Sequence, residues 1–244
     1  MQAERWGVTR VGGVSFTDGL FYAHSTQQAF QMLISFEGID GSGKSTQVRL
    51  VAQRLEAEGH SPLLVREPGG TEVAERVRTL LLDPTLQIDP FAELLLFSAA
   101  RAQLVTERIV PALDAGQFVL CDRFFDSSIA YQGEGRGLQG GAWMRQFQER
   151  VTGGLVPRRT YWVDVPLAEA RHRQADRDAA PDRMEAADQA FYHRVIAGYT
   201  TLAEAEPERI VRLDGLQPIE VIHQQIWADL STLRTTGTAP TGSR

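Results

Sequence analysis

Between residues 33 and 46 the chain reads Leu-Ile-Ser-Phe-Glu-Gly-Ile-Asp-Gly-Ser-Gly-Lys-Ser-Thr, a short apolar run that breaks into a glycine-rich turn. No other stretch limits the possible folds as much. Gly38 and Gly43 bracket four residues ahead of Lys44 and Ser45, the G-x-x-x-x-G-K-[ST] spacing at which a strand, a phosphate-cradling loop and a helix follow one another. The loop residues Gly38, Ile39, Asp40, Gly41, Ser42, Gly43, Lys44, Ser45 and Thr46 form the candidate ATP-binding segment, with backbone N–H groups turned inward on phosphate oxygens. Glycine suits such bends because a Cβ obstructs them. A helical pattern of Val48, Leu50, Val51 and Leu55 follows, and its positive N-terminal end favours an anion at the same place. In a site of this kind Lys44 reaches the β- and γ-phosphates and the Ser45 hydroxyl ligates Mg²⁺.

Of the 25 basic residues only one is a lysine, and it is Lys44; the other 24 are arginines. A compact ammonium serves phosphate as a point charge, a task a planar guanidinium does not take over.

At 244 residues, 43% of them hydrophobic and 23% charged, the chain has room for one globular domain with a full core. A net charge of −6 argues against a general nucleic-acid binder. The single cysteine, Cys121, excludes an internal disulfide framework and points to a reducing, cytoplasmic setting. No apolar run approaches the roughly 18–20 residues of a membrane span. Residues 1–31 lack sustained periodicity and read as a disordered extension, so the functional domain is expected over 32–230, beginning near Met32. Residues 231–244 read as a disordered tail.

Apolar runs ending at Val65, Cys121, Asp164 and Leu213 read as four further strands, separated by helical patterns. Thr71 and Asp89 stand as helix caps, the second followed by Pro90 at the preferred first helical position. Asp126 reads as another cap, and Gly133 to Gly141 as a flexible connection. Short apolar strands alternating with helices predict an α/β fold: a five-stranded parallel sheet with helices on both faces. Ligands in such sheets bind beyond the carboxyl ends of the strands. That rim collects residues 38–45, 66–70, Asp122, Arg123 and Asp164.

Five blocks now stand in order: Phe-Glu-Gly-Ile-Asp-Gly-Ser-Gly-Lys-Ser-Thr (36–46), Arg-Glu-Pro-Gly-Gly-Thr (66–71), Phe-Ser-Ala-Ala-Arg (97–101), Asp-Arg-Phe-Phe-Asp-Ser-Ser-Ile-Ala-Tyr-Gln-Gly (122–133) and Asp-Arg-Met-Glu (182–185). Together they resemble the thymidylate kinases, P-loop nucleoside monophosphate kinases that transfer the ATP γ-phosphoryl to dTMP. The resemblance covers roughly residues 33–230. It implies the nucleoside monophosphate kinase fold with a mobile lid, here about residues 171–187, and ATP, dTMP and Mg²⁺ as ligands. It also implies a homodimer.

Carried over residue by residue, the resemblance implies that Arg123 holds the acceptor phosphate, with Arg78 at a second such position. Phe97 stacks on the base and Arg101, four residues on and hence on the same helix face, bonds a base carbonyl. Ser128 and Gln132 lie near the base, Tyr131 crowds the sugar 2′ position, Asp40 contacts the 3′-hydroxyl, and Glu67 belongs to the acceptor site. Without the resemblance, Phe97 reads as core and Arg78 as a solvated helix charge. Asp122 reads as a member of the Mg²⁺ shell with Ser45, or as a partner of Lys44. Some relatives place an arginine directly after the loop aspartate, where this chain has Gly41. The catalytic arginine is then expected from the lid, with Arg177 and Arg183 the candidates and Arg173 in reserve. A different nucleotide kinase of the same fold, and a nucleotide-binding switch without turnover, remain the alternatives.

Overall fold

The computed structural model describes residues 32–138, 141–175 and 182–236. Residues 1–31 and Arg177 therefore lie outside the described residues. Five parallel strands form one sheet in the order β2-β3-β1-β4-β5, with β1 (Leu33–Glu37) at its centre. Beside β1 lie β3 (Val119–Asp122) and β4 (Arg159–Asp164); β2 (Leu63–Arg66) and β5 (Ile210–Asp214) are the edges. From β1 the chain runs on to β2, and from β3 in the opposite direction to β4, so the crevice in which sheets of this type bind ligands lies beyond the adjoining ends of β1 and β3.

Every residue of β1 is buried, as expected of a central parallel strand covered on both faces. Ile34 and Phe36 pack on one side with Val51 and Leu55 of α1 (Lys44–Ala57) and Ile226 and Leu230 of α9 (Ile219–Thr236). Leu33 points the other way, into a cluster with Leu104 of α3 (Pro90–Leu104), Ile109 from the π-helical turn that continues it, and Met144 of α6 (Gly141–Val151). The turn leads into α4 (Val110–Asp114). A third cluster joins Ile39 and Trp162 to Ala170 of α7 (Leu167–Ala175) and Val195 and Tyr199 of α8 (Gln189–Ala205).

Both expected caps form. The Thr71 hydroxyl accepts from Ala74 N–H at 3.2 Å at the head of α2 (Glu72–Leu82), and the Asp89 carboxylate accepts from Phe91 N–H at 2.9 Å. Three expectations are corrected. Asp126 caps nothing: it lies inside the short α5 (Phe125–Ser128), fully buried, where both its oxygens take the Arg209 guanidinium at 2.7 and 2.8 Å. Gly133 and Gly135 are buried in a π-helical segment, Ile129–Gly135, packed on α8. A Cβ at Gly135 would stand 2.7 Å from Phe191, so this glycine serves close packing rather than flexibility. Finally, α9 runs to Thr236, six residues into the stretch expected as tail.

Candidate active site

The phosphate loop turns out of β1 at Gly38, φ 136°, and again at Gly41, φ 85°. A Cβ at Gly38 would meet the Val163 carbonyl at 2.6 Å, and one at Gly41 would run into the backbone of Ala170. The Gly41 position therefore has no space for the arginine found there in some relatives, because α7 lies against it. Ser42 Oγ is buried with no hydrogen-bond partner among the described residues, which suits a loop shaped to receive an anion.

Lys44, at the first position of α1, points back across the loop to the Ile39 carbonyl at 3.5 Å and Asp40 Oδ1 at 3.2 Å. The same Asp40 oxygen takes Arg123 Nη2 at 2.8 Å. One carboxylate oxygen thus holds two cations, one from the phosphate loop and one from the end of β3. Burial would raise the Asp40 carboxyl, but Arg123 and Lys44 overcome it and hold the group well below the usual carboxylate range. Arg123 also donates to the Tyr131 hydroxyl at 3.1 Å and to Ser127 Oγ at 3.2 Å. Its backbone is left-handed, φ 74°, a conformation that side-chain-bearing residues rarely adopt and that the surroundings must hold.

The holding group is Glu37, the last residue of β1. Its Oε1 accepts from Phe124 N–H at 2.7 Å and Ser35 Oγ at 2.8 Å, its Oε2 from Ser127 Oγ at 2.5 Å and the Tyr199 hydroxyl at 2.9 Å. Complete burial, reinforced by the Asp126 charge, pushes this carboxyl up to about 7 from an ordinary 4.5. A carboxyl whose value rises on folding adds stability below its unfolded value and loses it as pH climbs through the folded one. Relative to Glu37→Gln, the wild-type chain is therefore expected to lose stability between pH 4.5 and about 7 and to stay level above. Denaturant titrations at a series of pH values read this directly, and a gap independent of pH would contradict it.

A cavity of about 230 Å³ opens beside these groups. Asp40, Lys44, Ser45, Asp122 and Arg123 line one end; Phe97, Arg101, Ser128, Tyr131 and Gln132 line the other; Glu67 and Arg78 lie along one side. The structure thus brings together the acceptor-side residues picked from the sequence. Arg101 is more committed than expected. Its Nε and Nη2 bind the Glu67 carboxylate, Nη1 donates to Ser128 Oγ at 2.9 Å and Gln148 Oε1 at 2.6 Å, and Nη2 reaches the Phe124 carbonyl at 3.3 Å. All five N–H groups have protein partners, so a base carbonyl would have to share one. Burial raises the Glu67 carboxyl against the pull of Arg101, and its Oε1 is left without a partner among the described residues. Arg78 donates to the Pro68 carbonyl at 2.9 Å.

The lid arginines divide. Arg183 is tied to the Leu81 carbonyl at 2.7 Å and to Glu93 at 2.6 Å, on the base side and away from Lys44. Arg173 reaches the Ser42 carbonyl at 3.5 Å and the Gly215 carbonyl at 3.0 Å, and so bridges α7 to the phosphate loop. Asp182 and Met184 line the cavity from the lid.

Sequence reasoning passed over Glu37, Ser127, Tyr199, Glu93 and Arg136. Two of these carried a signal. Glu37 is a carboxylate ending a strand otherwise apolar enough to be central, and Glu93 falls four residues before Phe97 in an apolar helix, on the face of Phe97 and Arg101.

Ser45 Oγ donates to Asp122 Oδ2 at the cavity wall. These are hard oxygen donors, and no group of three or more His, Cys, Asp or Glu able to hold a metal occurs among the described residues. A donor set this sparse fits Mg²⁺, which keeps waters and takes substrate phosphate oxygens to complete its shell.

A strand, a glycine-rich loop and a helix opening on Lys44-Ser45, set in a parallel sheet with Arg123 at the end of the neighbouring strand, define a P-loop kinase. The profile of the thymidylate kinase family matches residues 36–226. The chain belongs to that family. It is 48% identical over 200 residues to the thymidylate kinase of Deinococcus radiodurans, covering 82% of this chain and 96% of that one. To the thymidylate kinase of Chlorobium chlorochromatii it is 47% identical over 214 residues, at 82% and 95% coverage. Its fold is similar to the crystal structure of thymidylate kinase from Ehrlichia chaffeensis, with a TM-score of 0.67, 35% identity and coverage of 82% and 98%.

Proposed function

We propose that this chain phosphorylates dTMP to dTDP with ATP as donor. The observation that carries this reading is the double grip on Asp40. Lys44 belongs to the donor end of the cavity and Arg123 to the acceptor end, and one carboxylate oxygen fixes the spacing between them. Phosphoryl transfer needs positioning and charge neutralisation rather than covalent help. An oxygen of the dTMP phosphate, already anionic at neutral pH, attacks the γ-phosphorus while its bond to the ADP oxygen breaks, so no general base is required. The loop N–H groups and Lys44 take the charge on the donor phosphates. Arg123, with Arg78 behind it, holds the acceptor phosphate in line.

Mg²⁺ would be held by Ser45 and, through the inner or outer shell, Asp122. It would supply charge neutralisation on the donor phosphates. Phe97 offers a face to the base, Ser128 and Gln132 its polar contacts, and Tyr131 fills the space beside the sugar. Asp40 keeps its second oxygen for the 3′-hydroxyl. Glu67 supports this pocket through Arg101. The lid, read as about residues 171–187, serves to exclude water as a competing acceptor, with Arg183 and Arg177 its candidate catalytic arginines. The functional domain is proposed to span 32–236, with residues 1–31 dispensable.

ADP release with ATP and Mg²⁺ tests the reading, with dTMP, dUMP, dCMP, GMP, thymidine or no acceptor. Strong stimulation by dTMP is expected. Equal release with and without acceptor would make the chain a nucleotide switch or ATPase.

A homodimer is proposed as well, supported by Val73 and Leu80 on α2, Leu95 on α3 and Trp143 on α6, all large apolar side chains left exposed on neighbouring helices. A sedimentation mass near 27.1 kDa, that of one chain, would overturn it. Cytoplasmic residence follows from the proposed use of ATP and dTMP, and cell fractionation checks it. No helix among the described residues is long and apolar enough to cross a membrane.

A further inference from the structure

We propose that Glu93 sets the base selectivity of this site by locking the side-chain amide of Gln132 in one of its two orientations. The proposal rests on the reading that the base enters beside Phe97 and Gln132. Glu93 lies on α3, one turn before Phe97, and is fully buried. Its Oε1 accepts from Gln132 Nε2 at 2.8 Å and Arg136 Nε at 3.1 Å. Its Oε2 accepts from Arg136 Nη2 at 3.0 Å and Arg183 Nη1 at 2.6 Å.

Two guanidinium groups on one carboxylate keep it ionised. Burial works to raise the carboxyl, but the bonds from Arg136 and Gln132 prevail and hold it below its ordinary value. An ionised carboxylate only accepts hydrogen bonds, whereas an amide offers a donor on one side and an acceptor on the other. Gln132 must therefore turn its NH₂ group to Glu93. The flipped amide would set its carbonyl oxygen against a carboxylate oxygen at the same short distance, with no proton between them.

Gln132 is itself buried and lines the cavity. With Nε2 anchored, it shows a ligand the Oε1 acceptor and the second N–H of Nε2, in that order. The edge of thymine or uracil has the complementary order, an N3–H donor beside the O4 acceptor. Cytosine has the reverse, a bare N3 acceptor beside an N4 amino donor, and only the flipped amide could serve it. Glu93 thus discriminates by forbidding the arrangement the wrong base needs, which is selectivity by repulsion. Since it acts through Gln132, Glu93 is a positioning residue.

The experiment compares kcat/KM for dTMP, dUMP and dCMP in the wild-type chain, Glu93→Gln and Glu93→Asp. A glutamine at 93 presents either a carbonyl or an NH₂ and frees Gln132 to flip. The dTMP-to-dCMP ratio is expected to fall by about 10- to 100-fold in Glu93→Gln, the range one bidentate base contact supplies. The change should sit in the dCMP KM, while KM for ATP and the dTMP-to-dUMP ratio hold steady. Glu93→Asp keeps the negative charge and should keep the selectivity. An unchanged dTMP-to-dCMP ratio in a folded Glu93→Gln chain overturns the role of Glu93 and leaves the dTMP kinase reading intact.

Where Glu93→Gln does not fold, or the wild type transfers nothing to dTMP, the side-chain amide of Gln132 decides. Its NMR signals, assigned by their loss in Gln132→Leu, should show one proton protected from exchange in the wild type. Exchange as fast as that of free glutamine for both protons would overturn the proposal independently of any activity.

Discussion

Lys44→Ala is expected to lower kcat by about 10²–10³ with every acceptor, the loss that follows removal of one preorganised charge stabiliser. Among the described residues the ammonium bonds the Ile39 carbonyl and Asp40 Oδ1 alone, and Asp40 keeps its bond to Arg123 when Lys44 is gone. Alanine is also at least as good a helix former at the start of α1. Stability should therefore change little while turnover collapses. Because the lost group belongs to the donor end, kcat falls by the same factor whichever nucleotide accepts. Lys44→Arg should fail almost as badly, since a planar fork does not fit where a point charge sits between loop and carboxylate. Steady-state ADP release and a thermal melt together check this. Near-normal kcat/KM in Lys44→Ala would remove Lys44 from the chemistry, and near-normal kcat/KM in Lys44→Arg would remove the requirement for a point charge.

Most of the fold was legible because its strands announce themselves by composition. Leu33 to Phe36 and Thr160 to Val163 are buried on both faces, and a strand with no solvated side lacks the regular polar alternation that would obscure it. The caps at Thr71 and Asp89 were legible for a related reason: a cap is a local bond between residues two or three apart. What stayed hidden depends on distant partners. Asp126 has the residue type and position of a cap, yet Arg209, 83 residues away, claims it. Gly133 and Gly135 have the composition of a loop, but α8 packs on them, and no local rule foresees a helix that arrives 60 residues later. The extension of α9 to Thr236 is of the same kind, since its apolar contacts at Ile226 and Leu230 carry the last turns along.

The site divides along the same line. The phosphate loop was readable from spacing alone, since its chemistry is done by consecutive backbone groups. The acceptor end depended on family resemblance, because Phe97, Arg123 and Gln132 meet only when three separate segments converge. Their supporting carboxylates, Glu37 and Glu93, were legible by neither route, although each stood out as an acidic residue in an apolar run. A charge placed there had to be paired or made costly to ionise, and the structure does both: two arginines pair Glu93, while burial pushes Glu37 towards its neutral form.

Arg123→Met should show the acceptor end as clearly as Lys44→Ala shows the donor end. Buried Arg101 and half-buried Arg123 both line this cavity, and their hydrogen bonds tell them apart. Arg101 spends all five N–H groups on protein partners. Arg123 spends one on Asp40, one on Tyr131 and one on Ser127, which leaves Nε–H and one Nη1–H for a ligand among the described residues. Its left-handed backbone is held by Glu37 through the Phe124 N–H, so that the guanidinium is fixed before any phosphate arrives. A preformed fork of this kind holds the attacking phosphate in line with the γ-phosphorus, and the loss of that alignment is what its removal costs. Loss of kcat/KM for dTMP by about 10²–10³ is therefore expected, against a change in KM for ATP of about threefold or less. Arg123→Lys should recover part of the loss, as it returns the charge without the fork. Arg101→Met should act differently. It leaves Glu67 buried and unpaired, so the cost falls on stability, by about 3–5 kcal/mol, before it falls on either substrate. If Arg123→Met instead weakens ATP and dTMP equally and melts as early as Arg101→Met, then Arg123 is scaffold too. The acceptor phosphate would in that case have to be held by Arg78, which donates to the Pro68 carbonyl at the cavity wall.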